Sequence, residues 1–201
     1  MSKIAAIDTF NVTGRIVIAV LILWGLTVAV LAQSGVIARI FPPLIALIVA
    51  AGIVLPVAAY TLIPPFRRYI EHLGLRTLTL FHIWRIPAAL LFFWYGAHDL
   101  LPETFVRNAA WGDLIAGSIA LVIAFLPERR SQYIFFHLFG FADFVLAVGT
   151  GLTFTLLLDP RMAAITTLPM ALIPFYGVGI SGASHLMAFH LLWTKPPSRP
   201  R

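Results

Sequence analysis

The chain reads as an all-α integral membrane bundle of six transmembrane helices with both termini cytoplasmic, and three observations predict this. Hydrophobic residues fill 60% of the 201 positions and charged residues only 11%, where a soluble domain carries about 25% charge. A chain this small cannot hide so much apolar surface in its own core, because much of any small domain stays exposed. The apolar residues fall into long runs, each near the roughly 20 residues that cross a hydrocarbon layer, and basic residues gather between those runs.

The first run covers residues 14–33. Val30-Leu31-Ala32 resembles a signal-peptidase site. The run is long for a signal peptide, however, and Asp8 sits where a basic n-region would lie, so the segment is read as a retained helix. The second run is 37–63. After it, PPFRRYIEHLGLR (Pro64 to Arg76) mixes basic and apolar residues at helical spacing, which suits a short helix lying on the cytoplasmic interface.

The third run, 77–100, and the fourth, 108–127, each contain charge. Polar residues in a helix that must still span face protein rather than lipid, so these two belong inside the bundle. The fifth run is 132–158. The sixth is 164–193, with Pro169 and Pro174 predicting a kink or a late start. A single domain thus covers 1–195, and the Pro-rich tail 196–201 is expected to be disordered.

Lys and Arg set the orientation. Lys3, Arg15, Arg67, Arg68, Arg76, Arg129, Arg130, Lys195, Arg199 and Arg201 fall on one side of six spans. Only Arg39, Arg107 and Arg161 fall on the other. That bias places both termini in the cytoplasm.

The net charge of +6 does not indicate nucleic acid, because the basic residues sit in short clusters between apolar runs. There is no Cys, which removes disulfides, thiolate metal sites and cysteine nucleophiles. GISG (Gly179 to Gly182) resembles a rhomboid serine motif, but no later helix supplies the histidine base. A G-x-S-x-G elbow is absent. Lys3 and Lys195 are the only lysines and lie outside the spans, so a retinal Schiff base is excluded.

FHIWRIP (Phe81 to Pro87) holds His82 and Arg85 within an apolar run. Counted by depth at about 1.5 Å per residue, His82 and Arg85, Asp143, and His185 reach a similar level on three helices. A lone Arg there costs roughly 3 kcal/mol or more, and Asp143 is the carboxylate at that depth, so Arg85 is expected to pair with Asp143. His82 and Arg85, three apart, are neighbours. His137 and Asp143, six apart, point to different faces.

His98, Asp99, Glu103, Arg107 and Asp113 form an outer polar group. Asp113 lies about a turn inside the fourth span, one position off the small-residue ladder Gly112, Ala116, Ala120 and Ala124, which suits close helix packing.

FHIWRIPAALLFFWYGAHDLLPETFVRNAAWGDLIAGSIALVIA, FGFADFVLAVGTG and LIPFYGVGISGASHL resemble an uncharacterised family of small bacterial membrane proteins, over about residues 80–190. The resemblance implies that Arg85, Asp113, Asp143 and His185 belong together, and it implies the bacterial inner membrane. The chain departs from the pattern at His82, where Gln is expected, and at Val106-Arg107-Asn108.

The reading is an integral membrane protein with a buried Arg–Asp–His site that binds a small ligand or relays protons. Arg85 would supply fixed charge and Asp143 its counter-ion, with His185 exchanging protons and Asp113 on an outward polar route. One alternative is a b-type haem held by His185 with His82 or His137, Arg85 meeting a propionate. Another is an accessory subunit beside a larger membrane complex. No other metal set is assigned. The partners expected are the lipid bilayer and other membrane subunits.

Overall fold

The computed structural model describes residues 3–194, with side chains from Phe10 onward. The tail expectation for 196–201 falls outside the described residues. Among them run seven α-helices: Lys3–Gln33 (α1), Pro42–Leu62 (α2), Pro64–Phe81 (α3), Arg85–Ala97 (α4), Glu103–Phe125 (α5), Arg130–Leu156 (α6) and Val178–Thr194 (α7). Short 3-10 turns occupy Ile37–Arg39, His82–Trp84 and Pro160–Thr166, and a π-helical turn occupies Ile173–Gly177.

Local chemistry sets the boundaries. Gly35 takes a left-handed φ of 72°. Val36 N–H then reaches Leu31 O and Gly35 N–H reaches Ala32 O, the paired bonds of a Schellman cap that closes α1. Prolines open α2 and α3 at positions whose N–H groups would be orphaned anyway. Gly74, at φ 73° and ψ 176°, breaks α3 in two. The piece before it carries Arg67 bonded to Glu71 at 3.0 Å and packs Tyr69 and His72 against Phe10 of α1. Pro87 sits in the first turn of α4, which starts only after the His82–Trp84 turn.

α4, α5 and α6 pack together on one side. α7 packs against α2, α3 and α6, and α1 lies at the edge against α3 and the π turn. α7 is enclosed over most of its length, from Gly179 to Leu192. Close approach to α2 depends on Gly179, where a Cβ would stand 2.8 Å from Gly52 O.

Five helical segments are long and apolar enough to cross a membrane: Phe10–Gln33, Pro42–Leu62, Pro64–Ala97, Glu103–Phe125 and Arg130–Leu156. In the first two, only 11% of the most apolar window is buried, so residues such as Leu23, Val30, Leu47 and Leu55 present their side chains outward. α7 itself has 17 residues and follows directly on the π turn. The run expected as a helix from 164 is therefore irregular until Leu172, and the prolines delay its start. α5 begins at Glu103 rather than 108, and α1 begins well before residue 14.

The two ends differ in charge. At one, Arg76 Nη2 donates to Ala124 O at 2.6 Å and the Arg130 guanidinium donates to Leu192 O. Both satisfy late carbonyls of a helix, where a cation also opposes the helix dipole. At the other end, Arg161 bonds Asp159 at 2.8 Å and meets Asp99 at 3.5 Å.

Candidate functional site

Arg85 opens α4 and is 2% exposed. Its guanidinium employs all three nitrogens. Nε donates to Asp113 Oδ1 at 2.5 Å, Nη2 donates to Asp143 Oδ2, and Nη1 donates to the Gly140 carbonyl at 3.3 Å. One residue thus ties α4 to α5 and α6. The meeting with Asp143 is the one expected from depth. Asp113 joins the same group, as the family resemblance implies, and lies deeper than the outer position read from its place in the fourth run. Because α5 starts at Glu103, Asp113 lies about 15 Å along it, level with Arg85.

Two glycines make room for the group. A Cβ at Gly112 would stand 1.4 Å from Asp143 Oδ1, and one at Gly140 would stand 2.9 Å from His185 Cε1 and 3.6 Å from Arg85 Nη1. His185 therefore lies alongside the Arg85 group without bonding to it.

His185 belongs to a second cluster with His82 and His137, all three fully enclosed. His137 Nδ1 meets His185 Nδ1 at 2.9 Å. His137 Nε2 meets Thr79 Oγ1 at 3.1 Å, and His82 Nε2 meets Ser184 Oγ at 2.9 Å. Ser184 Oγ also donates to Ser181 O. His137 and Asp143 do point apart on α6, as their spacing requires, but both directions are buried. Phe136 closes the cluster, with ring centroids 5.0 to 5.9 Å from the three imidazoles.

These imidazoles do not fit a bis-histidine haem. Axial ligands must face each other across the plane of a macrocycle. Here His82 and His185 lie side by side at 4.2 Å between centroids, and His137 and His185 are hydrogen-bonded directly. No slot for a macrocycle separates any pair.

A cavity of about 230 Å³ lies on the other side of Arg85. Arg85, Asp113, Trp84 and Ser181 line its polar edge, where Trp84 Nε1 donates to Ser181 Oγ at 3.1 Å. Ile45 and Val49 of α2, Phe92, Phe105 and Phe144 form apolar walls. Met162 and Ile165 line it toward the end that carries the Pro160–Thr166 turn. Within the group, Arg85 faces two carboxylates, so the ionised set carries one surplus negative charge. Asp113 Oδ2 has no hydrogen-bond partner among the described residues.

Sequence reasoning missed Thr79 and Trp84, and it gave no role to Ser181 and Ser184, which meet Trp84 Nε1 and His82 Nε2. Thr79 and Ser184 lie three and one residues from His82 and His185 in apolar helices, a signal that small hydroxyls give too often to be selective. His98, Glu103 and Arg107 take no part in either cluster; Asp99 pairs with Arg161.

A family model described as Domain of unknown function (DUF8737) matches residues 42–193. The chain belongs to that family. No curated protein and no solved structure matches it.

Proposed function

We propose that this member of the family is an integral protein of the bacterial cytoplasmic membrane that binds a small, largely apolar molecule over the Arg85–Asp113 pair. The observation that carries the reading is the apolar cavity whose floor is a buried ion group with one carboxylate in excess. Pockets for small molecules combine such apolar walls with a few convergent polar groups. The surplus charge and the unpartnered Asp113 oxygen select a ligand that ends in a hydrogen-bond donor or a cation.

Membrane placement rests on the outward-facing apolar side chains of α1 and α2, which in water would form a patch far beyond that of a soluble monomer. The π turn and α7 supply a sixth crossing beside the five long segments, since together they reach the roughly 20 residues required. The end bearing Arg67, Arg68, Arg76, Arg129 and Arg130 faces the cytoplasm, as does each terminus. The piece of α3 before Gly74 then lies along that interface. Lipid is the partner of the exposed faces.

Proton relay by the same residues is less well supported. A relay needs polar groups along its path, and apart from Thr155, whose hydroxyl donates to Gly151 O, the cavity walls beyond Arg85, Asp113, Trp84 and Ser181 are apolar.

The test is thermal stability of the protein in nanodiscs with short alkylamines, alkanols and alkanoates of matched length. The amines are expected to raise the melting temperature by a few degrees through preferential binding to the folded state. The alkanoates are expected to have no such effect, and Asp113→Asn is expected to remove the amine effect. Equal shifts in wild type and Asp113→Asn would count against the site.

A further inference from the structure

We propose that His82, His137 and His185 form a three-histidine site for a transition-metal ion of the imidazole-binding class, with copper or zinc as occupant. The sequence pattern assigned no such site. One histidine per helix is a weak signal, and the three meet only through the packing of α7 against the His82–Trp84 turn and α6.

Geometry carries the assignment. Each residue offers a ring nitrogen, and the three nitrogens lie within 4.8 Å of one another. A tetrahedral ion with metal–nitrogen bonds of about 2.0–2.1 Å needs them about 3.4 Å apart, so a small inward shift of the rings suffices. His82 Nδ1 and His185 Nε2 are enclosed and have no hydrogen-bond partner among the described residues. A buried imidazole nitrogen without a partner is costly, and a metal bond is one way to satisfy it.

The outer contacts match those of metal ligands. A ligating histidine hands its second ring nitrogen to an acceptor that fixes its tautomer and orientation. His82 Nε2 is held by Ser184 Oγ, and His137 Nε2 by Thr79 Oγ1. That leaves Nδ1 of each for the ion. The His137 Nδ1–His185 Nδ1 contact holds one proton between two nitrogens. On binding, His137 Nδ1 turns from that contact to the ion and His185 ligates through its unpartnered Nε2, keeping its own Nδ1 proton, so three neutral imidazoles take up the ion without net proton release.

The setting narrows the ion. Nitrogen donors suit zinc, copper, iron and nickel, while magnesium and calcium prefer oxygen. The surrounding phenylalanines make the site dry, and burying charge in a dry site costs less for a monovalent ion than for a divalent one. The surplus negative charge of the Arg85 group lies alongside, across Gly140. Monovalent copper meets both conditions best.

The test is metal analysis of full-length protein purified through a tag free of histidine and stripped with chelator. Copper(I), zinc or cobalt(II) is then added, the excess is removed, and bound metal is counted. One ion per chain is expected, with cobalt showing the intense visible bands of tetrahedral nitrogen coordination. His185→Gln, His82→Gln and His137→Gln are each expected to lower affinity at least tenfold. His98→Gln and His190→Gln, outside the cluster, are expected to change nothing. Copper bound in preference to zinc would assign the monovalent ion, and zinc in preference would assign the divalent one. Should a cluster variant fail to fold, the cobalt spectrum of the wild type still decides. A wild type that retains no ion, or octahedral cobalt bands, or binding that survives all three substitutions, would overturn the proposal.

Discussion

Gly112 on α5 and Asp143 on α6 touch so closely that no side chain fits between them. A Cβ at position 112 would coincide with Asp143 Oδ1, at 1.4 Å. The carboxylate that holds Arg85 thus rests on bare backbone, and the small-residue ladder of α5 is what lets α6 bring it there.

Gly112→Ala is therefore expected to push Asp143 off Arg85 and cost about 3 kcal/mol or more, at the upper end for overpacking. Gly149→Ala, on the same helix as Asp143, is the control, because nothing lies within 4 Å of a Cβ there. Unfolding in detergent measures both. Equal stability of the two variants would contradict the close contact.

Arg85→Gln leaves two buried carboxylates without their cation. Breaking a buried pair from one side costs about 3–5 kcal/mol. Arg85→Lys is expected to recover little, since one ammonium cannot reproduce a fork that reaches Asp113, Asp143 and Gly140 together. Denaturant unfolding of the three proteins distinguishes these outcomes, and a Lys variant as stable as wild type would show that charge alone suffices.

Gly74 holds a φ of 73° with ψ of 176°, a region open almost only to glycine. Gly74→Ala is expected to cost about 1–3 kcal/mol although nothing lies within 4 Å of the added Cβ. The loss would come from backbone strain and not from crowding. A melting curve unchanged by Gly74→Ala would place the bend elsewhere.

Arg161 beside Asp159 holds that carboxyl below its ordinary value of 3.8, through hydrogen bonds from its side chain and backbone. A depressed folded pKa adds stability at neutral pH that disappears as the pH falls below that ordinary value. Asp159→Asn is expected to lower the melting temperature slightly at pH 7, with the difference shrinking as the pH falls below 3.8. A difference that does not shrink as the pH falls would point to the loss of the turn and not of the charge.

The absence of Cys makes topology testable with single-cysteine variants. Asp99→Cys and Glu128→Cys sit at opposite ends, with side chains 89% and 63% exposed. A membrane-impermeant maleimide is expected to label Asp99→Cys in intact cells and Glu128→Cys only after lysis. The reverse pattern would invert the orientation.

The Arg85–Asp143 meeting was legible because a deep guanidinium in an apolar chain has few carboxylates to choose from. Asp113 was grouped with Arg85 by the family resemblance, but depth alone read it as near the outer surface, for a physical reason. Glu103, Arg107 and Asn108 made the start of α5 look like loop, and a helix begun at 108 leaves Asp113 too shallow. The late start of α7 was legible in Pro169 and Pro174, although the irregular stretch before Leu172 was not. The histidine cluster was only partly legible: depth set His82 level with His185, and the haem alternative paired His185 with His82 or His137, but single histidines on separate elements carry no spacing, and only the crossing of α6, α7 and the His82–Trp84 turn shows all three together. The enclosure of His137 and Asp143 on different faces of α6 likewise depends on neighbours that no local pattern announces.

The most direct test of the central claim uses Ser181→Cys, at the polar edge of the cavity and 2% exposed. The folded protein in nanodiscs is treated with methyl methanethiosulfonate, a small neutral thiol reagent, and modification is followed by mass. Reaction is expected in the folded state, slowed by a bound alkylamine, while bulky maleimides stay excluded. A cysteine that reacts only after unfolding would mean that no small molecule reaches Arg85 and Asp113, and the binding site would be withdrawn.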